Sequence, residues 1–229
     1  MARRPRLAEP ARLSRMNIIL IGPPGSGKGV QAQLLSTQYD IPHISVGALF
    51  REQIKKRTLI GQQAESYVKK GQLVPDKITV TLLLRRIRQR DAQRGYILDG
   101  FPRTEEQMKL FHYHIPPQLV FYIHVPPRLT IKRIAGRRQC SRCGKIYGTS
   151  LQEQKKGHCD ACQGLLITRE DDRPPIVKKR LDIFKQEITP ILRWYKEQEV
   201  LIRIDGTKSI KTVNAQITAH LQTTARQKQ

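Results

Sequence analysis

The residues Gly22-Pro-Pro-Gly-Ser-Gly-Lys28 place three glycines and a lysine at the spacing G-x-x-x-x-G-K. That spacing suits phosphate. Gly22, Gly25 and Gly27 let the backbone curl so that several N–H groups point into one concavity. A helix that follows adds its positive N-terminal end, and Lys28 reaches phosphate oxygens as a point charge. The hydroxyl residue that usually follows the lysine and holds magnesium is missing, since Gly29 and Val30 stand there. A metal travelling with the phosphates therefore needs another anchor. Asp99 ends the apolar run Tyr96-Ile-Leu, and a carboxylate at the carboxyl end of a parallel strand beside a phosphate loop positions hydrated magnesium. Arg103, just past the following turn, can fork onto a phosphate. The second chemical cluster is Cys140-x2-Cys143, then fifteen residues, then Cys159-x2-Cys162. Two CxxC pairs at this spacing predict structural zinc held by four thiolates, with the adjacent His158 spare.

These groups need elements to hold them. The run Ile18 to Ile21 predicts a buried strand before the loop, and residues 31–38 a helix after it. Further strands are expected at 41–44, 96–99, 119–125 and 200–204. His43 reads as a strand-end residue rather than a ligand. Residues 45–70 read as mostly helical, with further helices at 79–90, 128–138 and 176–189, the last stopped by Pro190. On the helix 128–138, Arg133 and Arg137 are four apart and so share a face. Thr207 is expected to cap a final helix whose tail frays from Thr223. Five short strands alternating with helices imply an α/β fold around a parallel, doubly wound sheet.

The 229 residues carry a formal net charge of +23 with 6% aromatics. Arginines spread along the whole chain, with few aromatics between them, favour a phosphate-rich small substrate over a dedicated nucleic-acid face. Incidental polyanion binding remains expected. No apolar run reaches the length of a membrane span, so no membrane partner is expected. Residues 1–15, with Arg3, Arg4, Arg6, Arg12 and Arg15, read as a disordered basic arm outside the fold. Met16 is an alternative start.

Taken in order, the motifs resemble the adenylate kinase family, in the bacterial long-lid form with a four-cysteine zinc site. The resemblance rests on residues 22–29, Gly71-Gln-Leu-Val-Pro-Asp76, Asp99-Gly-Phe-Pro-Arg103 with Gln107, Gly136-Arg-Arg138, Arg169 with Asp171-Asp172, Arg180, and Asp205-Gly-Thr-Lys208. It implies a P-loop core (16–44, 75–135 and 173–229), a monophosphate-binding lobe at 45–74 and a zinc-stapled lid at 136–172. It also implies a reversible reaction of ATP with AMP giving two ADP, in a cytoplasmic monomer. Gly25, Ser26, Gly27, Lys28, Gly29, Val30, Arg133, Arg137, Tyr147 and Lys208 would meet ATP. Val46, Arg51, Gln72, Leu73, Val74, Gly100, Arg103, Gln107, Arg169 and Arg180 would meet AMP. Lys28, Arg103, Arg137, Arg169 and Arg180 would stabilise the transferring phosphoryl group, and Asp99 would organise magnesium through water. The chain departs from the family pattern at Val30, at Val46 and Ala48 (usually Thr and Asp), and at Gly148 (usually His), and its lid is shortened between the cysteine pairs. These departures leave two alternatives open: a kinase for another nucleoside monophosphate, or a nucleotide- or RNA-binding relative with impaired catalysis.

Overall fold

The apolar run Met16–Ile21 forms β1, a buried strand at the centre of the fold. The computed structural model describes residues 16–116, 118–148 and 157–227; the basic arm lies outside them. β1 pairs in parallel with β3 (Gly95–Asp99) on one side and β4 (Leu119–His124) on the other. β2 (His43–Ser45) lies beyond β3, and β8 (Leu201–Asp205) beyond β4, giving the order β2-β3-β1-β4-β8. All five expected strands are present, and the sheet is parallel throughout.

Successive residues of a strand face opposite sides, and here both sides are covered. Ile18 and Leu20 pack with Leu35 of α1 (Lys28–Tyr39) and with Val213 and Ile217 of α8 (Ile210–Gln227). Ile19 and Ile21 belong to the other core. There they join Leu83 of α4 (Asp76–Ile87), Met108 and Phe111 of α5 (Glu105–His112), and Ile191 and Tyr195 of α7 (Pro174–Glu197). Two excursions leave this frame. After β2 come α2 (Val46–Lys55) and α3 (Leu59–Lys69), packed on each other. After α6 (Pro127–Ala135) comes a small antiparallel sheet of β5 (Arg138–Cys140), β6 (Ile146–Tyr147) and β7 (Leu166–Ile167), in the order β6-β5-β7.

Four local expectations are corrected. The helix expected over 128–138 ends at Ala135, because Gly136 caps it and Arg138 enters β5; Arg137 therefore does not share a helical face with Arg133. The break expected at Pro190 does not occur, and α7 runs through to Glu197. A proline inside a helix removes one backbone hydrogen bond and crowds the preceding turn. Burial of Ile191 and Tyr195, each 0% exposed, holds the helix together across it. Thr207 does not cap the last helix: its N–H and hydroxyl both turn back onto Asp205 Oδ1, at 3.0 and 2.7 Å. Ser209 caps it instead, its Oγ accepting from the Thr212 N–H at 3.1 Å. The last helix does not fray from Thr223 but continues to Gln227. α5 was not anticipated, although Thr104-Glu-Glu-Gln107 carries a capping-box signal; the Thr104 hydroxyl accepts from the Gln107 N–H at 3.0 Å.

Between α5 and α7, His112 Nδ1–H donates to the Ile115 carbonyl at 2.6 Å, and Nε2 accepts from the Tyr195 hydroxyl at 2.7 Å. Both ring nitrogens serve the neutral form, and burial holds the imidazole below its ordinary value of 6.5. The unfolded chain then binds more protons over that window, so stability is lost as pH falls from 6.5 through the lowered folded value. Replacing His112 with Gln should reduce the loss of thermal stability between pH 7 and 5.5, read by circular dichroism melts. An unchanged slope would show that His112 is not a source of the acid sensitivity.

Candidate active site

The phosphate loop occupies the carboxyl end of β1, and Lys28 is the first residue of α1. Lys28 Nζ donates to the carbonyls of Gly22 at 2.7 Å and Pro23 at 2.9 Å, and to Ser26 Oγ at 3.3 Å. The loop is thereby wrapped around its own lysine. Gly27 caps α1 without a side chain, leaving the first-turn amides to an anion. Gly25 is needed for two reasons. Its φ of +79° is left-handed, and a Cβ there would come within 2.8 Å of both the Ile134 side chain and the Thr130 carbonyl of α6.

Asp99 ends β3 next to the loop. A Cβ on Gly29 would sit 3.3 Å from its Oδ2, so the missing side chain at position 29 opens the space before the carboxylate. His43 Nε2 lies 3.3 Å from Asp99 Oδ2, a contact not foreseen for a residue read as a mere strand end. Burial raises the Asp99 carboxyl, but the His43 hydrogen bond and the charges of Lys28 and Arg103 outweigh it and hold it below the usual range. A hydrated magnesium ion fits this position: one carboxylate oxygen and the substrate phosphates suffice, because magnesium keeps most of its waters.

Five arginines converge from separate parts of the chain. Arg51 comes from α2, and a Cβ on Gly47 would lie 3.3 Å from its Nη1 and 3.7 Å from Arg103 Nη2. Arg103 Nε donates to the Gly100 carbonyl at 2.8 Å. Arg137, after α6, donates through Nε to Asp172 Oδ2 at 2.8 Å and through Nη2 to Oδ1. Arg180 of α7 donates to the Asp171 carbonyl at 2.7 Å and to Asp172 Oδ1 at 3.2 Å, and pairs with Asp171 Oδ2 at 3.1 Å. Arg169 Nε bonds Gln139 Oε1, and burial beside Arg51 and Arg137 brings its guanidinium down to about 10. Arg133 stands apart from this group, with Nη1 3.5 Å from the Ser26 carbonyl of the loop. Asp171 and Asp172, noted only as part of a motif, turn out to organise Arg51, Arg137 and Arg180.

The remaining expected contacts spread out. Val46 is buried at 4% exposure and offers no hydroxyl to the cleft, while Ala48 is exposed. Gln72 is exposed, Leu73 half-buried and Val74 buried. Gln107 is buried; its Oε1 accepts from the Arg103 N–H and its Nε2 donates to Asp76 Oδ1, both at 2.9 Å. Lys208 is exposed beside Asp205, at 3.9 Å. Tyr147 is buried, and its hydroxyl faces Cys159 and Asp160 inside the small sheet's own core. The neighbouring Ile146 reaches within 3.9 Å of where a Gly29 Cβ would stand, so the small sheet lies over the phosphate loop.

The four cysteine sulfurs lie within 4.8 Å of one another, with Cys140–Cys162 at 3.4 Å and Cys143–Cys159 at 3.6 Å. Four thiolates at about 2.3 Å from a tetrahedral zinc would be about 3.8 Å apart, so the cluster fits that ion. The N–H groups of Arg142 and Cys143 point at Cys140 Sγ, each at 3.4 Å, as a thiolate requires.

Backbone amides and cations gathered to hold phosphates in line are the equipment of a P-loop phosphotransferase. Its relatives give the particular family. The adenylate kinase family model matches residues 20–200. The adenylate kinase of Syntrophomonas wolfei is 41% identical over 213 residues, covering 90% of this chain and 99% of that protein. Those of Methanocella arvoryzae (41% over 210 residues; 89% and 97% covered) and Pyrococcus abyssi (40% over 204 residues; 86% and 92% covered) are similarly close. The chain belongs to the adenylate kinase family.

Lys28 carries a consequence for pH. Burial lowers its ammonium to about 8, and Arg103, Arg180 and Arg137 add to that, with Asp99 opposing. A polyphosphate held beside it would raise it again, so nucleotide binding there is expected to draw in a proton above that value. Calorimetric titration with ATP at pH 8.5, in two buffers of different ionisation enthalpy, should show uptake of a fraction of a proton, absent at pH 6.5 and in Lys28→Met. A buffer-independent enthalpy at both pH values would exclude it.

Proposed function

We propose that this chain carries out the family's reaction, ATP plus AMP giving two ADP, with its residues in the following roles. The loop 22–27, Lys28 and the start of α1 hold the ATP phosphates, and Gly29 and Val30 line that first turn. Arg133, next to the loop, closes over the ATP phosphates, and Lys208, after β8, lies in the loop that meets the ATP adenine through its backbone. Arg51 and Arg103 hold the AMP phosphate. Arg137, Arg169 and Arg180 neutralise charge on the phosphoryl group in flight. Gln72, Leu73, Val74, Gly100 and Gln107 surround the acceptor base. Magnesium, when bound with ATP, neutralises phosphate charge; Asp99, oriented by His43, would hold it through water. The observation that carries this reading is the convergence of Lys28 with five arginines from separate elements around only three carboxylates. That excess of positive charge matches two nucleotides and little else of similar size.

The boundaries of the moving parts belong to the same proposal. Residues 45–74 would close over AMP and 136–172 over ATP, excluding water that would otherwise accept the phosphoryl group. The small sheet's position over Gly29 supports the closed arrangement. Among the described residues no helix is long and apolar enough to cross a membrane. A monomer working in the cytoplasm, where thiols stay reduced for zinc, fits the four-cysteine site.

One observation favours a second reading. Val46 lies in the core where a hydroxyl would have faced the acceptor base, so another monophosphate could be the preferred acceptor. The fixed amide of Gln107 argues for adenine. A coupled assay of ADP formation with ATP and AMP, GMP, CMP or UMP separates them. AMP is expected to give the highest kcat/KM, with discrimination against the others relaxed by about 0.5–1.5 kcal/mol for the lost hydrogen bond. No turnover with AMP would overturn the assignment. Zinc gives a separate test. Metal analysis should find one zinc per chain, and its removal by a chelator should lower the melting temperature, because among the described residues the small sheet buries too little apolar surface to fold unaided. A chain without zinc would refute the site.

A further inference from the structure

A zinc ion held by four thiolates carries a formal charge of −2. Inside a protein, such charge is stabilised by hydrogen bonds from groups around the ligands. Cys140 receives two backbone N–H groups. Cys159, the most buried of the four at 0% exposure, has a side-chain donor as well: the Tyr147 hydroxyl, 3.1 Å from its Sγ. We propose that Tyr147 is a positioning residue of the zinc site, its hydroxyl stabilising the Cys159 thiolate under the control of Asp160 and Lys145. The inference rests on the zinc reading above and goes beyond it.

The geometry explains why three residues are needed. The Tyr147 hydroxyl has one proton and two acceptors within reach, Cys159 Sγ and Asp160 Oδ1. An unopposed carboxylate would win that proton. Lys145 Nζ holds both Asp160 oxygens, at 2.7 and 2.8 Å, and draws off their negative charge. The Asp160 N–H donates to the Tyr147 oxygen at 3.0 Å, which polarises the O–H and makes it a better donor to sulfur. Lys145 also lies 5.3 Å from the Tyr147 ring centroid, which keeps the ammonium on the tyrosine. Tyr147 and Cys159 are both buried, so water cannot replace the bond.

The roles predict opposite effects for two neighbours. Removing the hydroxyl in Tyr147→Phe should weaken zinc retention about 10–100-fold, the usual size for an outer-sphere partner. Lys145→Met should weaken it in the same direction, because Asp160 then competes fully for the proton. Asp160→Asn should retain zinc at least as well as the parent chain, because the competing acceptor is weaker. The measurement is competition for zinc with a chromophoric chelator on the full-length protein. The thiolate-to-metal charge-transfer band of the cobalt-substituted chain gives a second readout, which should shift in Tyr147→Phe. Unchanged retention and an unshifted band in Tyr147→Phe would overturn the proposal while leaving the zinc reading intact. Loss in Asp160→Asn as large as in Tyr147→Phe would also overturn it, marking the group as mere packing. A parent chain that binds no zinc would overturn both.

Discussion

Gathering many cations around one cleft is a like-charge problem, and the adjacent carboxylates of Asp171 and Asp172 solve it. Two unit charges 4 Å apart interact by about 4 kcal/mol where the effective dielectric is about 20. Arg51, Arg137 and Arg180 arrive from α2, from the end of α6 and from α7, and all three meet this pair. The Asp172 side chain is only 1% exposed and takes Nε and Nη2 of Arg137 while touching Arg180. Leaving either side unpaired in such a place costs several kcal/mol, so α2, α7, the end of α6 and the root of the small sheet are tied together. The two carboxylates do not neutralise the whole set. The remaining positive charge is what the proposed function assigns to the substrate phosphates.

The sheet supplies the other half of the arrangement. β1 is buried on both faces, and its carboxyl end releases the chain into the loop beside the end of β3. That adjacency brings Asp99 opposite Gly29 and Lys28, and lets His43 of the next strand steady it. In a parallel sheet the strand ends that carry chemistry all lie along one edge. Phosphoryl transfer depends on position and charge more than on a reactive side chain, and an edge of this kind delivers both.

The small sheet obeys a different constraint. Among the described residues, its buried centre consists of Cys140, Tyr147 and Cys159, with Cys162 and Leu166 against them, too little apolar area for an independent core. Its polar connections run inward to the cysteines, which is why Tyr147, matched by resemblance to the ATP site, has its hydroxyl on Cys159. Ile146, beside it, is the residue that approaches the phosphate loop.

Local signals were strong where chemistry depends on neighbours in the chain. The loop 22–28, the two CxxC pairs and the five apolar strands each occupy a short window; the loop joins β1 to α1, the four cysteines come together, and all five strands form. The capping signal of Thr104 and Gln107 was equally local and readable. Pro190 and Thr207 misled because local preference competed with burial of α7 and with a better cap at Ser209. The contacts His43–Asp99, Arg51–Asp171, Arg137–Asp172 and Tyr147–Cys159 could not be read in advance. Their partners lie 12 to 120 residues apart or on separate elements, and no spacing rule links them. By itself, the sequence determined the phosphate-loop motif, the cysteine pairs that come together and the alternation that makes a parallel sheet, because each depends on residue type and near spacing. Only the tertiary structure decided which carboxylate restrains which arginine, because that depends on where separate elements meet in space.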